Sequence, residues 1–299
     1  MRLGRPKAAA RRLPMLRHPN AGYEADKLFR AGADVSVRQR LDEFRSSFRE
    51  HGARLVDLDD PVCAVSVGAA LSAPFLSITD LRGTVRRLLF DAIAADRSPI
   101  TLASLLSVSA ATDGDLQALA GNAAATIGAK VPAPPWAESA RNPGTKCRME
   151  LLRDRHDDEA EALVVTVGQA RWPGAFFIRF YQRSLLTERI YFLPGVKRRA
   201  LLAGVAAGSE LTRPYQYVLR DEIAAAGWVD VVNSMVSENE VNLARGQGFP
   251  PYPPDLAHLT SIRDVTPVPA LLVLLRKFVA SASGFSEWPF SADHPTIWR

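Results

Sequence analysis

At 299 residues, 47% hydrophobic and 23% charged, the chain has the balance of a folded globular protein rather than a disordered one, with room for one large domain or two ordinary ones. Two cysteines, Cys63 and Cys147, with no C-x-x-C spacing exclude a disulfide framework and a cysteine-built metal site, and read as reduced thiols of a soluble cytoplasmic protein. No membrane span is expected, because the longest apolar run, VPALLVLL at 268–275, is stopped by Arg276-Lys277, short of the ~18 residues a span needs.

The net charge of +5 is unevenly distributed. Arg2, Arg5, Lys7, Arg11, Arg12 and Arg17 fall within the first 17 residues, and no acid precedes Glu24. Removing these six charges leaves −1 for the remainder, so the basicity sits in a tail. Pro6, Pro14 and Pro19 and the lack of hydrophobic periodicity predict that residues 1–21 are disordered. No apolar segment follows the basic start, so a secretory signal is not expected. Gly4-Arg5-Pro6-Lys7 resembles part of the AT-hook core, whose Gly-Arg-Pro segment lies in the minor groove of A·T-rich DNA, although Leu3 stands where the hook has its first arginine. A cluster of this kind attracts polyanions through charge alone.

Residues 36–51 form the clearest predicted helix, with Val37, Leu41, Phe44 and Phe48 on one stripe, Ser36 and Gln39 as a capping box, and Gly52 as the stop. Residues 55–78 fit either short strands or a buried helix, which periodicity does not separate. A second helix is predicted at 80–95 with Leu81, Val85, Leu88, Leu89, Ala92 and Ile93 inward. Residues 101–121, TLASLLSVSAATDGDLQALAG, resemble a helix-turn-helix DNA reader. Asp113 stands where the second helix needs an apolar residue, and no Lys or Arg occurs between Arg97 and Lys130 to contact phosphates or bases. The segment therefore reads as two Ala-rich packing helices. Four prolines in VPAPPWAESARNPGTK mark 132–147 as a linker, with Trp136 as its anchor.

Apolar runs at 162–168, 175–181 and 188–193, rich in Val, Ile, Phe and Tyr, predict a β-meander with turns at Pro173-Gly174 and Pro194-Gly195. Helices are then predicted at 196–205, from Pro214 through Ala226 with Tyr215, Val218, Leu219 and Ile223 inward, from Trp228 to before Gly246, and at 267–282. FPPYPPD at 249–255 favours an extended polyproline conformation and has P-x-x-P spacing. The aromatic segment FSEWPFSADHPTIWR is expected to clamp onto the body. The sum is an α+β fold: a mainly helical region at 22–131, the linker, and an α+β region at 148–299 in which helices cover one face of a small antiparallel sheet.

Chemistry is sparse. The five histidines show no metal-ligand spacing, and P-loop, Rossmann and G-x-S-x-G fingerprints are absent, so neither a metal nor a cofactor is expected. Ser237-Glu238-Asn239-Glu240 resembles the E-x-E pair of ADP-ribosyltransferases, but it falls in a helical pattern and lacks the accompanying Ser-Thr-Ser. RDRHDDEAE at 153–161 offers Asp154, His156, Asp157, Asp158 and Glu159 as candidate cation ligands or as a solvated turn. Arg179, Arg183 and Arg189 with Tyr181 and Tyr191 read as the wet face of a half-covered sheet, or as a base-stacking surface. The expectation is a non-enzymatic binding protein whose basic arm (Arg2, Arg5, Lys7, Arg11 and Arg12) engages a polyanion, most readily nucleic acid, with Lys197, Arg198 and Arg199 as a second patch. The alternatives are a metal-dependent hydrolase or nuclease using the 154–159 cluster, and a protein-interaction subunit with a targeting or assembly tail.

Overall fold

The computed structural model describes residues 35–76, 84–141, 147–168, 171–206, 217–223, 228–244 and 268–283. The basic residues Arg2, Arg5, Lys7, Arg11 and Arg12, the polyproline segment and the aromatic segment after Ser283 lie outside them.

Five strands, β1 (Arg148–Asp154), β2 (Ala160–Gly168), β3 (Pro173–Tyr181), β4 (Thr187–Pro194) and β5 (Tyr217–Ile223), form an antiparallel sheet in the order β4-β3-β2-β1-β5. The fold is α+β, as composition and pattern predict. Strand register sorts the side chains into two faces. Leu151, Leu163, Ile178 and Ile190 are consecutive partners across the sheet, as are Met149, Val165, Phe176 and Phe192, and both rows join the main core. Val164, Phe177 and Tyr191 form a row on the opposite face, where Leu201 and Val205 of the helix α7 (Arg198–Ala206) cover them. Both faces of the middle strands are therefore buried, which is why β2 and β3 read as nearly continuous apolar runs instead of alternating ones. The expectation of a single covered face is corrected by α7.

Strands β1 and β5 were not expected. Residues 217–223 satisfy a helical stripe, but their backbone groups find partners along β1, with a bulge between Leu151 and Leu152. Pairing with a strand about 70 residues earlier is a tertiary contact that local pattern does not report. The chain leaves the β4 edge, crosses the second face as α7, and returns at the far edge as β5. Pro173 opens β3 and Pro194 closes β4, both lying within strands rather than turns, and Gly195, at φ +78°, donates its N–H to the Pro173 carbonyl at 2.7 Å.

The helical layer holds α1 (Val35–Leu55), α2 (Pro61–Leu76), α3 (Thr84–Ala94), α4 (Pro99–Ala111), α5 (Gly114–Gly128) and the short α6 (Ala137–Arg141). Residues 61–76 resolve the strand-or-helix ambiguity as helix: Asp60 caps it, accepting from the Val62 and Cys63 N–H groups at 2.8 and 3.1 Å, with Pro61 at the first position. Ser98 caps α4 in the same way through Thr101. Gly52 does not stop α1, which continues to Leu55. A Cβ there would lie 2.1 Å from Ser104 Oγ, so this glycine is required by the close approach of α1 and α4. Gly68 does the same for α2 against α4, where a Cβ would fall 2.1 Å from the Ser107 carbonyl oxygen.

The proline-rich segment is anchored: Trp136 is buried and its Nε1 donates to the Leu55 carbonyl at 2.7 Å. Helices α8 (Val229–Ala244) and α9 (Val268–Ser283) close the main face of the sheet. Phe278 of α9 meets the rings of Phe176 and Phe192, and α9 also packs on α2, so one core takes residues from the helical layer and the sheet together. Among the described residues, no helix is long and apolar enough to cross a membrane.

Candidate functional site

On the second sheet face the register brings Leu152, Ala162, Arg179 and Arg189 into one row. Arg179, 3% exposed, is neither a wet-face arginine nor a base-stacking one. Its guanidinium meets Asp154 at 3.2 Å, Asp157 at 3.0 Å and Glu188 at 2.7 Å. The bulge between Arg179 and Phe180 brings Glu188 into this reach, and Arg189 lies 3.7 Å from the same carboxylate. The β1–β2 turn presents the other two acids. Asp154 accepts from the His156 N–H and Asp157 from the Glu159 N–H, both at 3.0 Å, which fixes the carboxylates as Asx turns do. Asp158 points away to Arg153 at 2.6 Å on the surface. Of the candidate cation ligands, Asp154 and Asp157 thus hold an arginine, Asp158 another, and His156 and Glu159 are exposed. Among the described residues, no group of three His, Cys, Asp or Glu side chains is placed to hold a metal ion.

Two positions along, Glu150 is fully buried beneath α7, with Glu222 of β5 as its register partner. A buried carboxylate needs a counter-charge. Arg198 supplies it through its Nε to Glu150 Oε1. Of the predicted patch Lys197, Arg198 and Arg199, Lys197 and Arg199 are exposed and Arg198 is partly buried. Arg198 is turned inward, joining α7 to the sheet.

A third polar cluster ties α9 to the α4–α5 corner. Arg276 grips Asp113 with two bonds of 2.7 Å, and Lys277 donates to the carbonyls of Ser109 and Thr112 at 2.9 and 2.8 Å, capping the end of α4. Burial lowers the Lys277 ammonium from 10.5 to about 8, against the opposing pull of Asp113. Asp113, misplaced for a helix-turn-helix, is the acceptor of this clamp. Beside it, a groove of about 510 Å³ runs between α4 and α5, and Lys277 is the one charged residue among its described lining.

Comparison with protein-family models, with curated proteins and with solved structures found no match. Both thiols are shifted toward the protonated form. Burial, then Asp60, raises Cys63, and burial, then Glu150, pushes Cys147 up to about 12. Glu238 and Asn239 lie within α8, where Asn239 is buried and donates to Thr187 and to the Met235 carbonyl. Sequence reasoning missed Glu150, Glu188 and Lys277. The usable signal was charge inside apolar runs, at Glu150 in MELL and at Arg276-Lys277 in the 268–283 helix.

Proposed function

We propose that this is a non-enzymatic binding protein whose basic N-terminal residues engage a polyanion, most readily a nucleic acid. What supports the reading is the segregation of charge: six cations and no acid within the first 17 residues, against −1 for all that follows. Three arginines inside the fold are spent on it. Arg179, Arg198 and Arg276 are each neutralised by carboxylates of the chain itself. Arg2, Arg5, Lys7, Arg11 and Arg12 then make sequence-independent phosphate contacts, with Lys197 and Arg199 as the exposed remainder of the second patch.

The test is binding of a fluorescent oligonucleotide across a salt series by the full chain and by a chain starting at Asn20. The expected result is a log-log slope of about −0.9 per neutralised phosphate, lost on truncation. Equal, weak binding by both chains overturns the reading and turns attention to a protein partner.

A further inference from the structure

The groove between α4 and α5 has features that polyanion binding does not use. Its volume, about 510 Å³, falls in the range of roughly 300–1,000 Å³ of small-ligand sites. Leu102, Ala110 and Ala124 form a buried floor. One wall is Gln117, Gly121, Ala125 and Gly128 of α5, spaced along one helix face over about 16 Å of axis. The space above Gly128 admits a methyl group, and above Gly121 the one close neighbour is a hydroxyl. A Cβ added at Gly121 would meet only Ser109 Oγ, at 3.3 Å, and one at Gly128 only Leu102 Cδ1, at 4.0 Å. Close helix packing therefore does not account for Gly128, in contrast to Gly52 and Gly68, while Gly121 is only mildly crowded, by the Ser109 hydroxyl.

The groove also has a charged end. Lys277 reaches it where Ser109 and Gln117 meet, Ser109 Oγ donating to the Gln117 carbonyl at 3.2 Å. An ammonium has three N–H donors, and two are committed to Ser109 and Thr112, which leaves a third for a ligand. Asp113, the nearest acid acting on Lys277, has both carboxylate oxygens on Arg276. The charge of Lys277 is poorly solvated, so an anion is favoured there. The first turn of α5 begins at the same corner, its positive end offsetting the carbonyl end of α4.

We propose that this groove binds a small linear amphiphile, its aliphatic chain lying along Gly121, Ala125 and Gly128 and its carboxylate on the Lys277 ammonium. The apolar floor supplies contact area without direction, and the single cation at one end fixes the orientation of the ligand. A peptide helix fits less well, because the groove carries one charge and few polar groups to satisfy a backbone.

The experiment is calorimetric titration of the full chain with decanoate below its micellar concentration, beside 1-decanol and acetate. Saturable one-to-one binding of decanoate, at least tenfold weaker binding of decanol and none of acetate are expected. Ala125 is exposed, so Ala125→Phe fills the groove without entering the core and is expected to abolish binding at an unchanged melting temperature. Lys277→Gln is expected to weaken decanoate at least tenfold and leave decanol unchanged. Absence of saturable binding, or decanoate affinity unmoved by Ala125→Phe, overturns the site. Equal affinity for decanol and decanoate overturns the role of Lys277.

Discussion

Arg179 and Arg153 make the same kind of contact in opposite surroundings, and the difference sets a measurable gap. Arg153 meets Asp158 at 2.6 Å with the two side chains 59% and 82% exposed, while Arg179 meets Asp154 at 3.2 Å with 3% and 0%. Distance alone would rank the surface pair first; burial reverses the order. Solvent screens the exposed pair, and holding two long side chains costs entropy, so Arg153→Met is expected to change stability by no more than about 1 kcal/mol. Arg179→Met keeps most of the side-chain volume but strands the Asp154 carboxylate without its counter-charge in a place water does not reach. Breaking a buried pair in this way costs about 3–5 kcal/mol. Adding Asp154→Asn removes the stranded charge, so the double variant should be less destabilised than the two single changes added together, by about 1–3 kcal/mol. Urea denaturation followed by circular dichroism gives all four values, with equal m-values required for the comparison. A loss below about 1 kcal/mol for Arg179→Met, equal to that of Arg153→Met, refutes the reasoning.

Two further outcomes follow from the helix contacts. Gly68→Ala sets a methyl group 2.1 Å from a backbone oxygen of α4, which must move away. A loss of at least about 1–3 kcal/mol is expected in the same denaturation assay, whereas Gly114→Asn at φ +54°, with no atom within 4 Å of its Cβ position, should change little. Lys277, lowered from 10.5 to about 8, has lost its proton in the native state at pH values where the unfolded chain still binds one. Stability should therefore rise between about pH 8 and 10.5, by up to about 3 kcal/mol, a slope that is missing in Lys277→Met. A Lys277-dependent fall over that window would reverse the assigned direction.

What local pattern dictates was legible. The runs that became β2, β3 and β4 are β-branched and aromatic, and the stripes of α3 and α9 recur at helical spacing, so short-range rules suffice for them. What depends on distant partners was not. Strand β5 needs β1 beside it, and the covering of the second face needs α7 to lie across Phe177 and Tyr191. Gly52 carried a conflict between rules: a glycine after a helical stripe signals a stop, yet here it admits Ser104 of a neighbouring helix. The polar clusters were only half visible. The acids at 154–158 were plain in the sequence, but their partner Arg179 lies 25 residues on from Asp154 and looked like a surface residue until the strand register turned it inward. Asp113 and Arg276, separated by 163 residues, could be flagged as misfits in apolar segments but not joined.

That separation bears on how the protein is made. Asp113 leaves the ribosome 163 residues ahead of Arg276, which at ~5–20 residues per second is on the order of 10–30 s. Throughout that interval α4 and α5 stand without their clamp, and for its second half Phe176 and Phe192 stand without the Phe278 ring that packs on both. Helix α9 is thus the keystone of the nascent chain: the parts already translated are held in an unfinished, apolar-faced state until it arrives, the interval in which a chaperone has most to shield.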